Sequence, residues 1–404
     1  MAFSSLERTS QSDAVAVADA GPDVLAACAL SSVPGVGAST MARIADRFHS
    51  LRRAVAEGPG RLLEQGDELL LCAEARQYLA QGPDLRELGV LAWEAAREVG
   101  ARVVLLGDED YPPQLRRIAK PPRLLYVRGN LAPGARRVAV VGSRAADEAG
   151  LDLAQAFGDA FARAGVEVVS GGARGIDTAA HVGALWGQGT SLAVLGCGID
   201  VTYPPENKNL FARLASGGGA LMSEFAPGAL PVPKNFPRRN RTVAGLSHAV
   251  VVVRAAPGSG ALITAWEARK LGIPVFAVPG NPGNPLAEGP NGLLRDGEAK
   301  LATGPADILL GLGWPVPEAS VPVHDAPHPQ VPASNGSSDD GGDREFLDAK
   351  DVELWRLLDE RTPAHVDDLA HRAQIPAREA LGRLAELELK GMVVQRPGKY
   401  FLRR

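Results

Sequence analysis

The sequence has few cysteines, no long apolar run and no recognisable export signal. Its three cysteines, Cys28, Cys72 and Cys197, lie far apart in 404 residues, and their spacing fits neither a disulfide framework nor a zinc site. We expect buried or inert thiols. Apolar runs such as 248–253 are only as long as a strand, well short of the roughly 20 residues that cross a bilayer. These absences predict a cytoplasmic protein with no membrane partner.

The sequence also lacks an excess of basic charge and the common catalytic motifs. Its formal net charge is −4, which argues against a protein that coats nucleic acid through overall positive charge. Any nucleic-acid site must therefore be a local patch. There is no Walker lysine motif, HExxH, GxSxG elbow or cluster with metal-ligand spacing. We expect no catalysis, no bound metal and no cofactor.

Composition divides the chain into five segments. Proline, serine, glycine and aspartate dominate one of them without periodicity, which predicts a flexible linker. The last segment has short helical patterns followed by a hairpin pattern, the order of a winged helix. The expected segments are a disordered N-terminus (1–22), a helical domain (23–100), a Rossmann-like core (101–314), the linker (315–345) and a winged helix (346–404).

The core segment alternates apolar β-branched runs with stretches of helix length. This pattern predicts a parallel sheet covered by helices on both faces, a doubly wound Rossmann-like α/β domain. Ligands of such domains bind at the carboxyl ends of the strands. The predicted strand at 138–141 is not followed by GxGxxG, and no acidic residue ends the next strand, so a dinucleotide is a poor fit.

Glycine-rich turns between strand and helix are predicted to gather at that edge of the sheet. Glycine lets a ligand approach the backbone, and a helix N-terminus attracts anions. Asp177 is expected to complement the dipole of its helix, and the lone His181 to be structural. The predicted phosphate-binding residues of these turns are Gly142, Ser143, Arg144, Gly171, Gly172, Arg174, Gly175, Ser259, Gly260 and Asn291.

Residues 234–241 place four cations close to an aromatic ring. Basic groups neutralise phosphates and an aromatic ring stacks on a base, as in proteins that bind single strands. The alternatives are a solvated charged loop and, for Phe236, a place in the core. The predicted DNA contacts of this segment are Lys234, Phe236, Arg238, Arg239, Asn240 and Arg241.

Longer motifs follow one another in a fixed order through the core. They include VAVVGSR, VVSGGARGIDTAAHVGAL, AVLGCGIDVTYPPEN, FPRRNRTVAGLS and VFAVPGN. In this order they resemble the DNA-processing protein A family, DprA, also called Smf. The resemblance assigns Gly142, Ser143 and Arg144 to a phosphate loop, and the segment that contains Asn240 and Arg241 to the lining of a DNA pocket.

The resemblance also implies an architecture and a function. The family often has a sterile-alpha-motif-like domain before the Rossmann-like core and a winged helix after it. It implies a homodimer that binds single-stranded DNA, protects incoming DNA and helps load the RecA recombinase during natural transformation. No catalytic residue is implied.

Two other functions fit part of the pattern. An enzyme of the phosphoribohydrolase type uses a similar fold, with Glu267 as the carboxylate that acts on a nucleoside monophosphate, although the cations at 234–241 exceed the need of one phosphate. Alternatively, the terminal domains bind DNA through a helix-hairpin-helix-like turn at 34–37 and through the winged helix. The basic residues near the wing are Arg396, Lys399, Arg403 and Arg404.

Overall fold

The computed structural model describes residues 20–317, 349–359, 364–373, 375–389, 393–396 and 400–403. The described residues form two compact units, one ending at residue 317 and one beginning at residue 349. Nearly all of the predicted N-terminal tail and linker lies outside the described residues, as do Lys399 and Arg404. Within these ranges, every helix is too short or too polar to cross a membrane.

Helices form the first part of the larger unit. They are α1 (Pro22–Ser32), α2 (Ala38–Phe48), α3 (Leu51–Glu64), α4 (Ala73–Leu79) and α5 (Leu85–Glu98). The side chains of Ser50 and Asp84 cap α3 and α5 by accepting hydrogen bonds from amides of the first turn. The apolar faces of the helices join residues of the sheet, such as Tyr126 and Leu221, in one hydrophobic core.

In residues 101–301 the strands form a nine-stranded sheet with the order β1-β2-β6-β5-β4-β3-β7-β8-β9. Its strands are β1 (Ala101–Leu105), β2 (Leu124–Gly129), β3 (Arg137–Val141), β4 (Glu167–Ser170), β5 (Ser191–Leu195), β6 (Gly219–Ser223), β7 (Ala249–Val252), β8 (Val275–Ala277) and β9 (Lys300–Leu301). From β6 to β9 along this order all neighbours are parallel, whereas β1 and β2 are antiparallel additions at one edge.

Helices cover both faces of this sheet, and the predicted doubly wound Rossmann-like α/β fold is confirmed. The helices are α6 (Glu148–Arg163), α7 (Ile176–Trp186), α8 (Lys208–Arg213), α9 (Asn235–Leu246), α10 (Gly260–Lys270), α11 (Glu288–Arg295) and α12 (Pro305–Gly311). Short 3₁₀ turns at Pro113–Arg117 and Pro205–Asn207 and a π turn at Leu214–Gly218 complete the unit.

The strand order reverses between β3 and β7, which are parallel neighbours with Val138 opposite Ala249. The chain continues from β3 through β4, β5 and β6 on one side, and from β7 through β8 and β9 on the other. The loops that follow β3 and β7 therefore diverge and leave a crevice at the carboxyl ends of the two strands, the usual ligand position in doubly wound sheets.

The described residues of the second unit form helices and a small antiparallel sheet. The helices are α13 (Ala349–Arg356), α14 (Val366–Arg372) and α15 (Ala377–Leu389). The strands are β10 (Ala364–His365), β11 (Val393–Arg396) and β12 (Tyr400–Arg403), in the order β10-β12-β11. Leu354, Leu369, Leu384 and Phe401 are among its core residues. Three helices followed by a hairpin are the winged-helix order that the sequence predicts.

His181 in α7 is buried in the first unit and held in one tautomer. The hydroxyl of Ser191 donates to the carbonyl of Val168 at 2.9 Å, so it accepts from Nδ1 of His181 at 2.7 Å. Nε2 is then the unprotonated nitrogen, and it has no hydrogen-bond partner. Burial, with the charge of Arg239 as a smaller cause, lowers the pKa of His181 from 6.5 to about 3. The neutral ring predicted to be structural is therefore a core residue.

This depressed pKa predicts an acid dependence of stability. Unfolding returns the ring to a pKa near 6.5, so its contribution is constant above that pH and declines as the pH falls towards 3, by up to about 1.4 kcal/mol per pH unit. Between pH 6 and 4, the free energy of unfolding of His181→Gln should fall less steeply than that of the wild type. Denaturant unfolding measures both slopes. The exposed His49→Asn should retain the wild-type slope, and equal slopes for all three proteins would contradict the assignment.

Candidate nucleic-acid interface

A cavity of about 650 Å³ opens at the crevice between the loops after β3 and β7. An adjoining cavity of about 330 Å³ shares Arg144, Tyr203 and Phe236 with it and extends to Arg174. We call the two cavities together the trough. Its main lining residues are Gly142, Ser143, Arg144, Gly171, Ala173, Tyr203, Phe236, Arg239, Asn240, Ser259 and Gly260.

The first two glycine loops pack backbone against backbone. The amide of Ser143 donates to the carbonyl of Arg254 at 2.6 Å, and the amide of Ile176 donates to the carbonyl of Ser143 at 3.2 Å. Gly175 has a φ of 73°, and a Cβ there would collide with the Ser143 carbonyl oxygen. Only glycine fits this position. Ser143 was predicted to bind phosphate through its hydroxyl, whose oxygen accepts from the amide of Ala145 at 3.1 Å.

The backbone N–H and C=O of Gly171 are both bound by charged side chains. Its amide donates to Oδ2 of Asp177 at 3.0 Å, and the amide of Ala173 donates to the same oxygen at 3.3 Å. Its carbonyl accepts from Nη1 of Arg239, which also donates to the carbonyl of Val194 at 2.7 Å. Burial raises the pKa of the Asp177 carboxyl, and the charge of Arg239 opposes that rise.

Arg239 is therefore part of the trough wall. Its exposed fraction is 4%, and the carbonyls of two adjacent strand ends occupy Nη1. The sequence predicted Arg239 as a direct DNA contact; the residue does line both cavities, but its guanidinium is largely buried, and the contact stays a prediction.

Aromatic rings line the middle of the trough. The guanidinium carbon of Arg144 lies 5.1 Å from the ring centroid of Phe236, and that of Arg239 lies 5.7 Å from it. The ring of Tyr203 is tilted by 48° to Phe236, with the centroids 5.9 Å apart. Phe236 is half-buried at the trough rather than enclosed in the core. Arg144 is exposed and has no ion pair with any described carboxylate.

Tyr203 also lines the trough, although it was not among the predicted site residues. Its position could have been predicted as the glycine loops were, because it follows the strand and glycine turn of AVLGCGIDVTYPPEN. An aromatic residue at the carboxyl end of a buried strand is available for a ligand in this fold class.

The basic segment forms helix α9, which distributes its cations over different faces. Phe236, Arg239 and Asn240 face the trough, as residues three and four apart do. Arg238 donates to Glu224 at 3.1 Å on another side. Lys234 binds Glu74 of α4 at 2.9 Å. Helical periodicity thus corrects the expectation of one basic patch.

The other predicted residues have diverse positions. Nη2 of Arg241 lies 3.5 Å from the carbonyl oxygen of Lys120, and Arg241 is not among the residues that line the trough. Arg174 at the trough end binds Glu206 at 2.5 Å. Asn291 is not a lining residue: its side chain binds both the amide and the carbonyl of Gly280 at 3.1 and 2.9 Å, which corrects its predicted contact with DNA.

The remaining predicted loop residues are Gly172, which lines neither cavity, and Ser259 and Gly260, which line the trough. The carbonyl of Gly172 accepts from Nδ2 of Asn207 at 2.9 Å. Ser259 caps α10, whose N-terminus lines the trough, and Asn240 donates to the carbonyl of Gly260 at 3.0 Å. This bond ties α9 to α10 across the trough, and a helix N-terminus at this position favours an anion.

The candidate catalytic and metal-binding groups lie elsewhere or have other partners. Glu267 binds Lys270 of its own helix at 3.2 Å and does not line the trough. In the described part of the chain, no three histidine, cysteine, aspartate or glutamate side chains are grouped as a metal site requires. Burial raises the pKa of Cys28 to about 12 and that of Cys197 to about 11, which makes both thiols unreactive. Cys72 is exposed rather than buried.

A doubly wound α/β core with a glycine-lined trough at its strand ends, followed in the chain by a winged helix, defines the class of this protein. A family model described as DNA recombination-mediator protein A matches residues 102–313, and one described as DprA winged helix domain matches residues 343–399. The chain belongs to the DprA/Smf family, as its sequence motifs predict.

Individual relatives agree with this assignment. The chain is 42% identical to Protein Smf of Escherichia coli over 298 residues, which cover 72% of this chain and 75% of that protein. It is 30% identical to Protein Smf of Synechocystis over 413 residues, 93% of this chain and 98% of that protein. The X-ray structure of DNA processing protein A from Streptococcus pneumoniae is similar, with a TM-score of 0.60 and 31% identity over 72% of this chain and 98% of that one.

The clamp on Gly171 predicts a large effect of removing Asp177. Asp177→Ala leaves two amides without an acceptor and the buried Arg239 without its nearby opposite charge, so we expect a loss of about 3 to 5 kcal/mol in the free energy of unfolding. Asp177→Asn, which keeps one acceptor oxygen, should lose less. Denaturant unfolding measures these changes.

The control for this prediction is Asp159→Ala. Asp159 binds Arg163 on the exposed surface of α6 at 2.9 Å, and such pairs contribute at most about 1 kcal/mol. If Asp177→Ala were no less stable than Asp159→Ala, the clamp would not hold the loop.

Proposed function

We propose that the trough binds single-stranded DNA, and that this protein is a cytoplasmic recombination mediator. In this function it protects incoming DNA and helps load RecA during natural transformation. The observation that carries the proposal is the exposed guanidinium of Arg144, which lies 5.1 Å from the ring centroid of Phe236 where the two cavities of the trough share their lining. Membership of a family described as DNA recombination mediators supports it.

In the proposed complex, Arg144 binds a phosphate while it remains above Phe236. A guanidinium has enough donors to bind two phosphate oxygens and still contact an aromatic face. The N-terminus of α10 at Gly260 provides a second position for a phosphate. Phe236 and Tyr203 offer ring faces to bases. Contacts of this kind distinguish poorly between sequences, since phosphates and ring faces are common to all nucleotides.

A chain of nucleotides fits this site better than a single nucleotide. The lining continues past Phe236 into the second cavity and reaches Arg174. The phosphoribohydrolase alternative loses its proposed carboxylate, because Glu267 is on α10 outside the trough lining and binds Lys270. Asp177, the carboxylate that does line the trough, is buried and bound by two amides. We therefore propose binding without catalysis. Base release from a nucleoside monophosphate would contradict it.

We also propose that the protein acts as a homodimer and that the core is the main DNA-binding domain. The proposed domains remain a helical domain at 23–100, the core at 101–314 and a winged helix at 346–404.

The hairpin at 34–37 packs against α9, because a Cβ at Gly37 would lie 2.9 Å from Nη1 of Arg238. If the core is the main DNA-binding domain, truncation after Asp343, which removes the winged helix, should leave affinity for single strands intact; loss of that affinity would assign binding to the winged helix.

The proposed role of Arg144 predicts a salt-dependent loss of affinity. Arg144→Ala should weaken binding of a fluorescent single-stranded oligonucleotide by roughly tenfold to a hundredfold, since it removes a charged hydrogen-bond donor. It should also lower the slope of log affinity against log salt by about 0.7, the value for one phosphate. Phe236→Leu should weaken binding by roughly tenfold with an unchanged slope, because it removes only stacking. Fluorescence anisotropy at several salt concentrations measures both effects.

Arg163→Ala is the matched control. Arg163 is an exposed arginine at the C-terminal end of α6, just before β4, and therefore lies towards the amino end of that strand and away from the trough. It should bind DNA as the wild type does. Equal affinity of Arg144→Ala and Arg163→Ala would exclude the trough as the DNA site.

A further inference from the structure

Helix α10 carries an exposed stripe of three residues, Ile263, Trp266 and Lys270. Their spacing places them on one side of the helix. The other side is anchored in the core by Ala265 and Ala268. Trp266 is 55% exposed although it is the largest side chain of the helix. We call these three residues the α10 stripe.

The stripe is continuous with the trough. Gly260 at the start of α10 and Ile263 one turn later both line the trough. Trp266 follows after a further three residues, which correspond to about 4.5 Å along the helix axis. A ligand that extends past Ile263 therefore meets Trp266 next.

The chemistry of the stripe suits a nucleotide. Nζ of Lys270 lies 3.9 Å from the ring centroid of Trp266, a cation–π contact on an indole that is 55% exposed. Lys270 also binds Glu267 at 3.2 Å, so a phosphate at this position would share the ammonium group with that carboxylate. An exposed ring beside a cation is the pairing that single-strand binders use.

We propose that single-stranded DNA leaving the trough continues along the α10 stripe, with a base stacked on Trp266 and a phosphate near Lys270. This inference rests on the proposed function of the trough. It makes the occupied surface longer than the trough, so that Trp266 contributes to binding of long strands only.

The test compares two strand lengths. Oligothymidines of roughly 4 and 20 nucleotides, within and beyond the site sizes known for single-strand binders, are titrated into the full-length wild type and into Trp266→Ala, Trp266→Phe and Trp186→Ala. Trp186, at the end of α7, is 54% exposed and lies outside the trough lining, so it is a matched control. Thermal unfolding verifies that each variant is folded.

We expect Trp266→Ala to weaken binding of the long strand by roughly tenfold and to leave the short strand unaffected. Trp266→Phe should keep most of the affinity because it keeps a ring, and Trp186→Ala should match the wild type. The long strand should also quench more tryptophan fluorescence in the wild type than in Trp266→Phe.

Three results would overturn the inference. The first is wild-type affinity of Trp266→Ala for the long strand while Arg144→Ala is weakened, which would leave the proposed function intact. The second is an equal loss for both lengths in Trp266→Ala, which would make Trp266 a support of the trough. The third is a change of oligomeric state without a change in DNA affinity, which would assign the stripe to protein contact. Failure of the wild type to bind either strand would instead refute the proposed function itself.

Discussion

The trough depends on one buried arrangement, the peptide group of Gly171 held between Asp177 and Arg239. Arg239 also binds the end of β5 through Val194 and lies beside the ring of Phe236. One side chain thus joins two strands, the loop between β4 and α7, and helix α9. Its charge is removed from water, which is tolerated because carbonyl oxygens surround it and a carboxylate is near. The loops on either side can be rich in glycine and still hold a defined shape.

The orientation of α9 follows from this anchor. With Arg239 fixed inward, Phe236 and Asn240 face the trough. Arg238 lies against Gly37 of the N-terminal helical part and binds Glu224, which follows β6. The N-terminal helices share a hydrophobic core with the sheet. Helix α9, which appears in the sequence as a run of positive charge, therefore presents different residues to the trough and to the N-terminal helices.

The sequence predicts the strands and the glycine loops well, because their signals are local. Runs such as 248–253 are apolar and β-branched, and a glycine turn at the end of each strand has few alternatives in a parallel sheet. The side of α9 on which each cation lies was not predicted, since a helix and a charged loop give similar composition. The partners of these side chains were not predicted either. Glu74, which binds Lys234, is distant from it in the chain, and the side chain of Asn291 binds the backbone of Gly280. Such pairings depend on tertiary contacts between residues distant in the chain, and the pattern of neighbouring residues does not indicate them.

The ion pairs of Arg174, Lys234 and Arg238 bear on how the proposed DNA complex would respond to salt. These cations already have carboxylate partners, so Arg144 is left as the exposed arginine of the trough lining. A strand bound there as proposed would release few counterions. Its affinity would then depend more on stacking and hydrogen bonds than on ionic strength.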